Sequence, residues 1–429
     1  MPNCFFTRAN AVSIASFLIL ILSGCSSISK GIAEALLEKT ENIDNRVCQV
    51  WGSSFEGMAP KLNQSVGRNK LLMVHGVGDH IPGYSTQFLE KLARELKLTS
   101  RLGHPKDITL INPRAPDKVL GNLRATHLLN ETTGQRLTFY ELTWSVITRQ
   151  EKSLLDFDNS GEYAFRRAKV NDMLKKFSND TGPDPIIYLG KSRELILSAF
   201  TQSFCWMSAY DWEELPDNTR QPCIGLNDNE AHVINDNYAF VSHSLGSRIV
   251  IDGLQRIATI LPKLESYLPE DKKGVPFTKR IESFKSKRIP IFMLSNQLPM
   301  LQMGLDLPEV AGHKEDYCLN TSPRYSERMI SETAIFAFSD PNDLLSYAIP
   351  NDFSERFLDS RLCPTITNIN INVTKVIDAF GISDLANPLE AHVAYDQDDR
   401  VIALIARGIG TELSSPLVQE RCEFTKIIQ

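Results

Sequence analysis

The chain has 429 residues, of which 42% are hydrophobic and 23% charged, and its formal net charge is −6. That length accommodates one large α/β domain or two of medium size, with the apolar-to-charged balance of a globular protein. The acidic balance carries no electrostatic footprint for nucleic acid, and no repeat period or low-complexity block indicates a solenoid or a long linker.

The first element is a targeting segment. Arg8 precedes the apolar run "AVSIASFLILILSG", which is short for a membrane span and ends in "LSGC", residues 22–25. This resembles the lipobox of bacterial lipoproteins. The resemblance implies removal of residues 1–24 and lipidation of Cys25, with acyl chains holding the protein to a membrane. Ser26 stands where an aspartate commonly retains such proteins at the inner membrane, so the expected location is the outer membrane, facing the periplasm. Six cysteines then remain in an oxidising compartment: Cys48, Cys205, Cys223, Cys318, Cys363 and Cys422. The even number is compatible with full pairing, and connectivity is not readable from spacing. No CxxC or Cys/His cluster suggests a zinc site.

Residues 25–65 read as a tether and an N-terminal decoration. From residue 66 onward, short apolar runs alternate with helical patterns, which predicts an α/β domain with a mostly parallel sheet covered on both faces. The expected strands are "KLLMVHG", "DITLINP", "LTFYELTWS", "YAFVSHS", "IPIFMLS", "AIFAFSD" and "TNININV". The third alternates more than the others and is placed nearer an edge. A helical insertion is expected over about 146–232. It holds a basic helix, "EYAFRRAKVNDMLKKF", with a solvated charged face. It also holds an apolar helix in which Ile196, Phe200, Phe204 and Met207 recur at helical spacing. The second helix reads as packed on the sheet, with a lid or acyl-binding wall as the sharper alternative.

Three later motifs carry chemistry. In "FVSHSLGSR" an apolar strand runs into Ser244 and then into "RIVIDGLQRI", with Val250, Ile251, Leu254, Ile257 and Ala258 on one helical face. A nucleophile elbow needs this strand–turn–helix context with small neighbours, here Ser242 in place of the usual glycine and Gly246. "LLMVHGVGDH" is a strand followed by a Gly-containing loop. Backbone N–H groups there and after the nucleophile can hold an oxyanion. The candidate donors are Leu245 and Val77, with Gly78 as the alternative to Val77, while His75 is assigned a structural role. His392 lies late in the chain, after a Pro-containing loop and ahead of a helix with Val401, Leu404 and Ile405 on one face. It is the candidate base among eight histidines. His243 is expected to point to the other side of the elbow.

Between Ser244 and His392, "AIFAFSDPNDLLS" offers two acids. Pro341 restricts Asp340 to extended backbone, which suits a turn-building aspartate bonded to backbone N–H groups, so Asp343 is preferred as the acid and Asp340 is its alternative. The order Ser…Asp…His, with an oxyanion loop before the serine, resembles the α/β-hydrolase superfamily from about residue 66 to the end. The resemblance implies a lipase- or esterase-like serine hydrolase acting on carboxylic, lipid-like esters through an acyl-enzyme, without metal or organic cofactor. Thioesterase, amidase and acyltransferase chemistry use the same site. The alternative is a catalytically inactive member of the fold, a periplasmic binding or scaffold lipoprotein.

Overall fold

The structure is a computed structural model. It describes residues 46–63, 67–100, 104–160, 167–223, 230–267, 282–379 and 383–425. The leader, the lipobox and Cys25 lie outside the described residues. These fall into two compact units: one spans Arg46–Glu151 and Asp184–Gln429, and the other includes Lys152–Pro183. Part of the expected insertion is therefore a unit of its own, with one long helix, Lys169–Thr181. The first residues of the expected basic helix, 162–166, lie outside the described residues. No described helix is long and apolar enough to cross a membrane.

The large unit is α/β, with an eleven-stranded sheet flanked by helices. Its strands are β1 (Cys48–Trp51), β2 (Asn69–Val74), β3 (Thr99–Ser100), β4 (Lys106–Asn112), β5 (Ala115–Leu129), β6 (Arg136–Thr143), β7 (Asn237–His243), β8 (Arg288–Leu294), β9 (Glu332–Ser339), β10 (Pro364–Ile371) and β13 (Glu423–Thr425). A separate two-stranded ribbon is formed by β11 (Ile377–Ala379) and β12 (Ser383–Leu385). The path is β13-β1-β10-β9-β8-β7-β2-β6-β5-β3, with β4 on β5. The six strands from β10 to β6 are all parallel.

Each of the seven expected runs is a strand, but two differ in setting. β4 pairs antiparallel with β5, outside the parallel core. β6 is an inner strand between β2 and β5, with seven of its eight residues buried. Its apparent alternation came from Thr138, Tyr140 and Glu141, which are polar yet buried. The expectation that it lies near an edge is corrected on that ground.

Alternate residues of each parallel strand enter different cores, which is why these strands read as continuous apolar runs. Leu72 and Val74 pack with helices α2 (Arg193–Ala209) and α3 (Leu245–Tyr267) on one face. Leu71 and Met73 pack with α1 (Thr86–Glu95) and α5 (Asp399–Arg407) on the other. In α2, Ile196, Phe200, Phe204 and Met207 are all buried in the sheet-facing core, so this helix is packing rather than an acyl-binding wall. Three disulfides join Cys48–Cys422, Cys205–Cys223 and Cys318–Cys363.

The topology places the site. From β2 the chain runs to β3, β4, β5 and β6 on one side, whereas from β7 it crosses to β8 on the other. Connections that diverge from adjacent strands leave a crevice beyond their carboxyl ends, where open α/β sheets bind ligands. The two loops at that crevice are residues 75–78 and the turn at Ser244.

Candidate active site

Ser244 sits between the last residue of β7 and the first of α3, with a left-handed backbone at φ 53°. A non-glycine residue holds that conformation only when its surroundings enforce it. Here the Ser244 N–H donates to the Leu294 carbonyl at 2.9 Å, and its own carbonyl accepts from Ser247 N at 3.0 Å and Ser247 Oγ at 2.5 Å. The turn also needs two glycines. A Cβ on Gly246 would lie 2.4 Å from the Val74 carbonyl oxygen, and one on Gly76 would lie 2.7 Å from the Ser244 Cβ. Ser242 fits at the third small position, fully buried.

The loop after β2 is held by its own histidine. His75 Nε2 accepts from the Trp144 backbone N–H at 3.1 Å, so the ring proton resides on Nδ1 and donates to the Gly76 carbonyl at 2.8 Å. The imidazole is stacked on Trp144, with ring centroids 4.7 Å apart. A trans peptide sets N–H opposite C=O, so fixing the Gly76 carbonyl also fixes the Val77 N–H, pointing it away from the imidazole. No described residue accepts from that N–H. Gly78 differs: its N–H donates to the buried Asp184 carboxylate at 2.7 Å. Of the two loop donors weighed in the sequence, only Val77 has its N–H uncommitted. Leu245 opens α3, so its N–H has no partner within the helix.

Asp343 and His392 meet. His392 Nδ1 is 2.9 Å from Asp343 Oδ1. The carboxylate also accepts from Ser295 Oγ at 2.6 Å, Leu345 N at 3.0 Å and Tyr395 Oη at 3.2 Å. Burial pushes the Asp343 carboxyl up, but the hydrogen bonds from His392, Ser295 and Leu345 outweigh it and hold the group below the usual carboxylate range. Asp343 therefore stays ionised at neutral pH. His392 lies within a short helix, α4 (Pro388–Val393), capped by Asn387. A further helix, Pro416–Arg421, and β13 follow α5.

Asp340 has a different setting. Its Oδ1 accepts from Asn342 N and Nδ2, and its Oδ2 from Val373 N and Thr374 N, which ties the acid turn to the end of β10. His243 does not turn away from the site: its Nε2 lies 2.8 Å from the His392 carbonyl oxygen, to which it donates. Burial, then the neighbouring His392, lowers the His243 imidazole to about 3, so it is a neutral N–H donor.

No family model, curated protein or solved structure matches this chain. Its function is therefore argued from the site alone. Ser244 Oγ and His392 Nε2 are both buried, and neither has a hydrogen-bond partner among the described residues. Sequence reasoning missed Ser295 and Tyr395. Ser295 carries no local signature, whereas Tyr395 lies one helical turn after His392, a spacing that brings both side chains to one side.

Proposed function

We propose that the protein is a serine hydrolase of α/β-hydrolase architecture that cleaves carboxylic esters through an acyl-enzyme. Ser244 Oγ attacks the ester carbonyl while His392 Nε2 takes its proton, and Asp343 holds the imidazole by Nδ1–H and stabilises the cation that forms. The N–H groups of Leu245 and Val77 receive the oxyanion. The imidazolium then gives its proton to the leaving alkoxide, and water repeats the sequence to release the acid. The observation that carries the reading is the Asp343–His392 contact, on the partner side of an imidazole whose other nitrogen is unbonded, together with a left-handed buried serine at a strand–helix turn.

A lipid-like ester is supported by the rim. Three of the four proposed site loops bear exposed large apolar side chains: Ile81 after residues 75–78, Leu344 beside Asp343, and Leu389 and Val393 flanking His392. Exposed apolar side chains beside polar catalytic groups suit an apolar ligand. Ser244 itself is fully buried, so part of its cover must move to admit substrate. Anchoring through Cys25 at the outer membrane, facing the periplasm, belongs to the same proposal. Three disulfides among the described residues support an oxidising compartment.

The test is hydrolysis of p-nitrophenyl esters of graded chain length by the full chain. The reading expects turnover rising from acetyl to medium-length acyl groups and lost in Ser244→Ala and in His392→Ala. A folded wild-type protein without turnover on any ester would favour the inactive-scaffold alternative.

A further inference from the structure

Ser295 directly follows β8 and, like Ser244, is fully buried and left-handed, at φ 50°. Its neighbours connect three strand ends: Leu294 accepts from the Ser244 N–H, and the Asn296 N–H donates to the Phe338 carbonyl of β9 at 3.0 Å. The side chain thus emerges between the loop carrying the nucleophile and the loop carrying the acid. Its Oγ lies 2.6 Å from Asp343 Oδ2 and 2.9 Å from His392 Nδ1.

Counting protons fixes the direction of these bonds. The hydroxyl has one proton and the carboxylate none, so Ser295 donates to Asp343. A hydroxyl lone pair is then directed at Nδ1, which must carry the ring proton. That proton is shared between Ser295 Oγ and Asp343 Oδ1, each 2.9 Å from Nδ1. A histidine protonated on Nε2 instead would leave Nδ1 facing a carboxylate oxygen with no proton between them. Two acceptors on one side of the ring thus hold it in a single tautomer and a single orientation.

We infer that Ser295 is a positioning residue of the catalytic group: by bridging Asp343 and His392 it keeps Nε2 unprotonated and aimed for proton transfer. This rests on the hydrolase reading of Ser244, Asp343 and His392. Ser295 touches no reacting atom, and it acts through the imidazole. Its left-handed backbone, which serine does not favour, is retained where glycine would be relaxed, as expected if the hydroxyl is what is needed.

The test uses Ser295→Gly, which removes the hydroxyl and suits the backbone, beside Ser295→Ala in the full-length protein. The expected result is a melting temperature for Ser295→Gly at or above wild type. Its kcat falls about 10- to 100-fold, the usual weight of one hydrogen bond to a charged pair, with KM little changed. The downfield proton resonance of His392 Nδ1–H should move or vanish. In an Asp343→Asn background the same substitution should cost far less, because both residues act on one ring. Wild-type kcat and an unmoved resonance in Ser295→Gly would overturn the inference, as would an equal loss in both backgrounds. If Ser244→Ala keeps full turnover, the hydrolase reading is what fails. The resonance then decides for Ser295 alone: a shift supports the bridge and no shift removes it.

Discussion

Gly76 and Ser244 touch so closely that a Cβ on the glycine would lie 2.7 Å from the serine Cβ and 2.9 Å from the His243 carbonyl oxygen. The loop at residues 75–78 and the turn at Ser244 are therefore one packed unit, formed where β2 and β7 end side by side. Gly76→Ala must push the two apart. The expected cost is about 1–3 kcal/mol of stability from overpacking. Turnover should fall about 100-fold, as displaced reacting groups do. Thermal melting and ester kinetics on the purified variant check both, and wild-type turnover would show that the loops are not coupled.

Ser242 makes the opposite prediction. Its hydroxyl is buried with no partner among the described residues, a position where an unsatisfied polar group costs about 1–3 kcal/mol. Ser242→Ala should raise the melting temperature by roughly 2 °C or more and leave turnover unchanged. A lower melting temperature would mean that the hydroxyl has a partner after all.

The two aspartates of the acid turn should separate cleanly. Asp340→Asn puts an amide among N–H donors that the carboxylate now accepts from on both oxygens, so it should lower stability by about 1–3 kcal/mol while each folded molecule still turns over. Asp343→Asn should stay folded and lose about 10⁴-fold in kcat, through the wrong imidazole tautomer. Active-site titration beside melting curves distinguishes fewer active molecules from slower ones. Reversed outcomes would exchange the roles.

Asp396 gives a pH-dependent prediction. Burial, only partly offset by a backbone hydrogen bond and Lys91, raises its carboxyl to about 6. A folded-state value above the unfolded one means that ionisation disfavours the fold. The penalty is nearly absent near pH 4, grows as pH rises through about 6, and is complete above that. Asp396→Asn should therefore melt higher than wild type at pH 8 and close to it at pH 4. An equal difference at both pH values would exclude the titration as the cause.

Much of the fold was legible because the parallel strands are buried on both faces and so stand out as apolar runs. The elbow was legible because strand, serine, small residues and helix are contiguous. Asp343 was separable from Asp340 through the backbone restriction imposed by Pro341. What was not legible depends on neighbours distant in sequence. β5 contains Pro116, Asp117, Gly121 and Asn122 and was not among the expected strands, yet it pairs with β3, β4 and β6. The commitment of Gly78 N–H to Asp184 spans 106 residues, and the Ser295–His392 contact spans 97. The Cys48–Cys422 bridge spans 374. None of these leaves a periodic or local trace.

Covalent labelling by a fluorophosphonate, followed by intact-mass and peptide mapping, is the sharpest test of whether Ser244 is an activated nucleophile. An unactivated serine does not react, so the reagent reports the assembled site without any assumption about substrate. A single adduct on Ser244 is expected in the wild-type protein, none in Ser244→Ala, and much slower labelling in Asp343→Asn. A folded wild-type protein that stays unlabelled, or an adduct that survives Ser244→Ala, would contradict that role for Ser244.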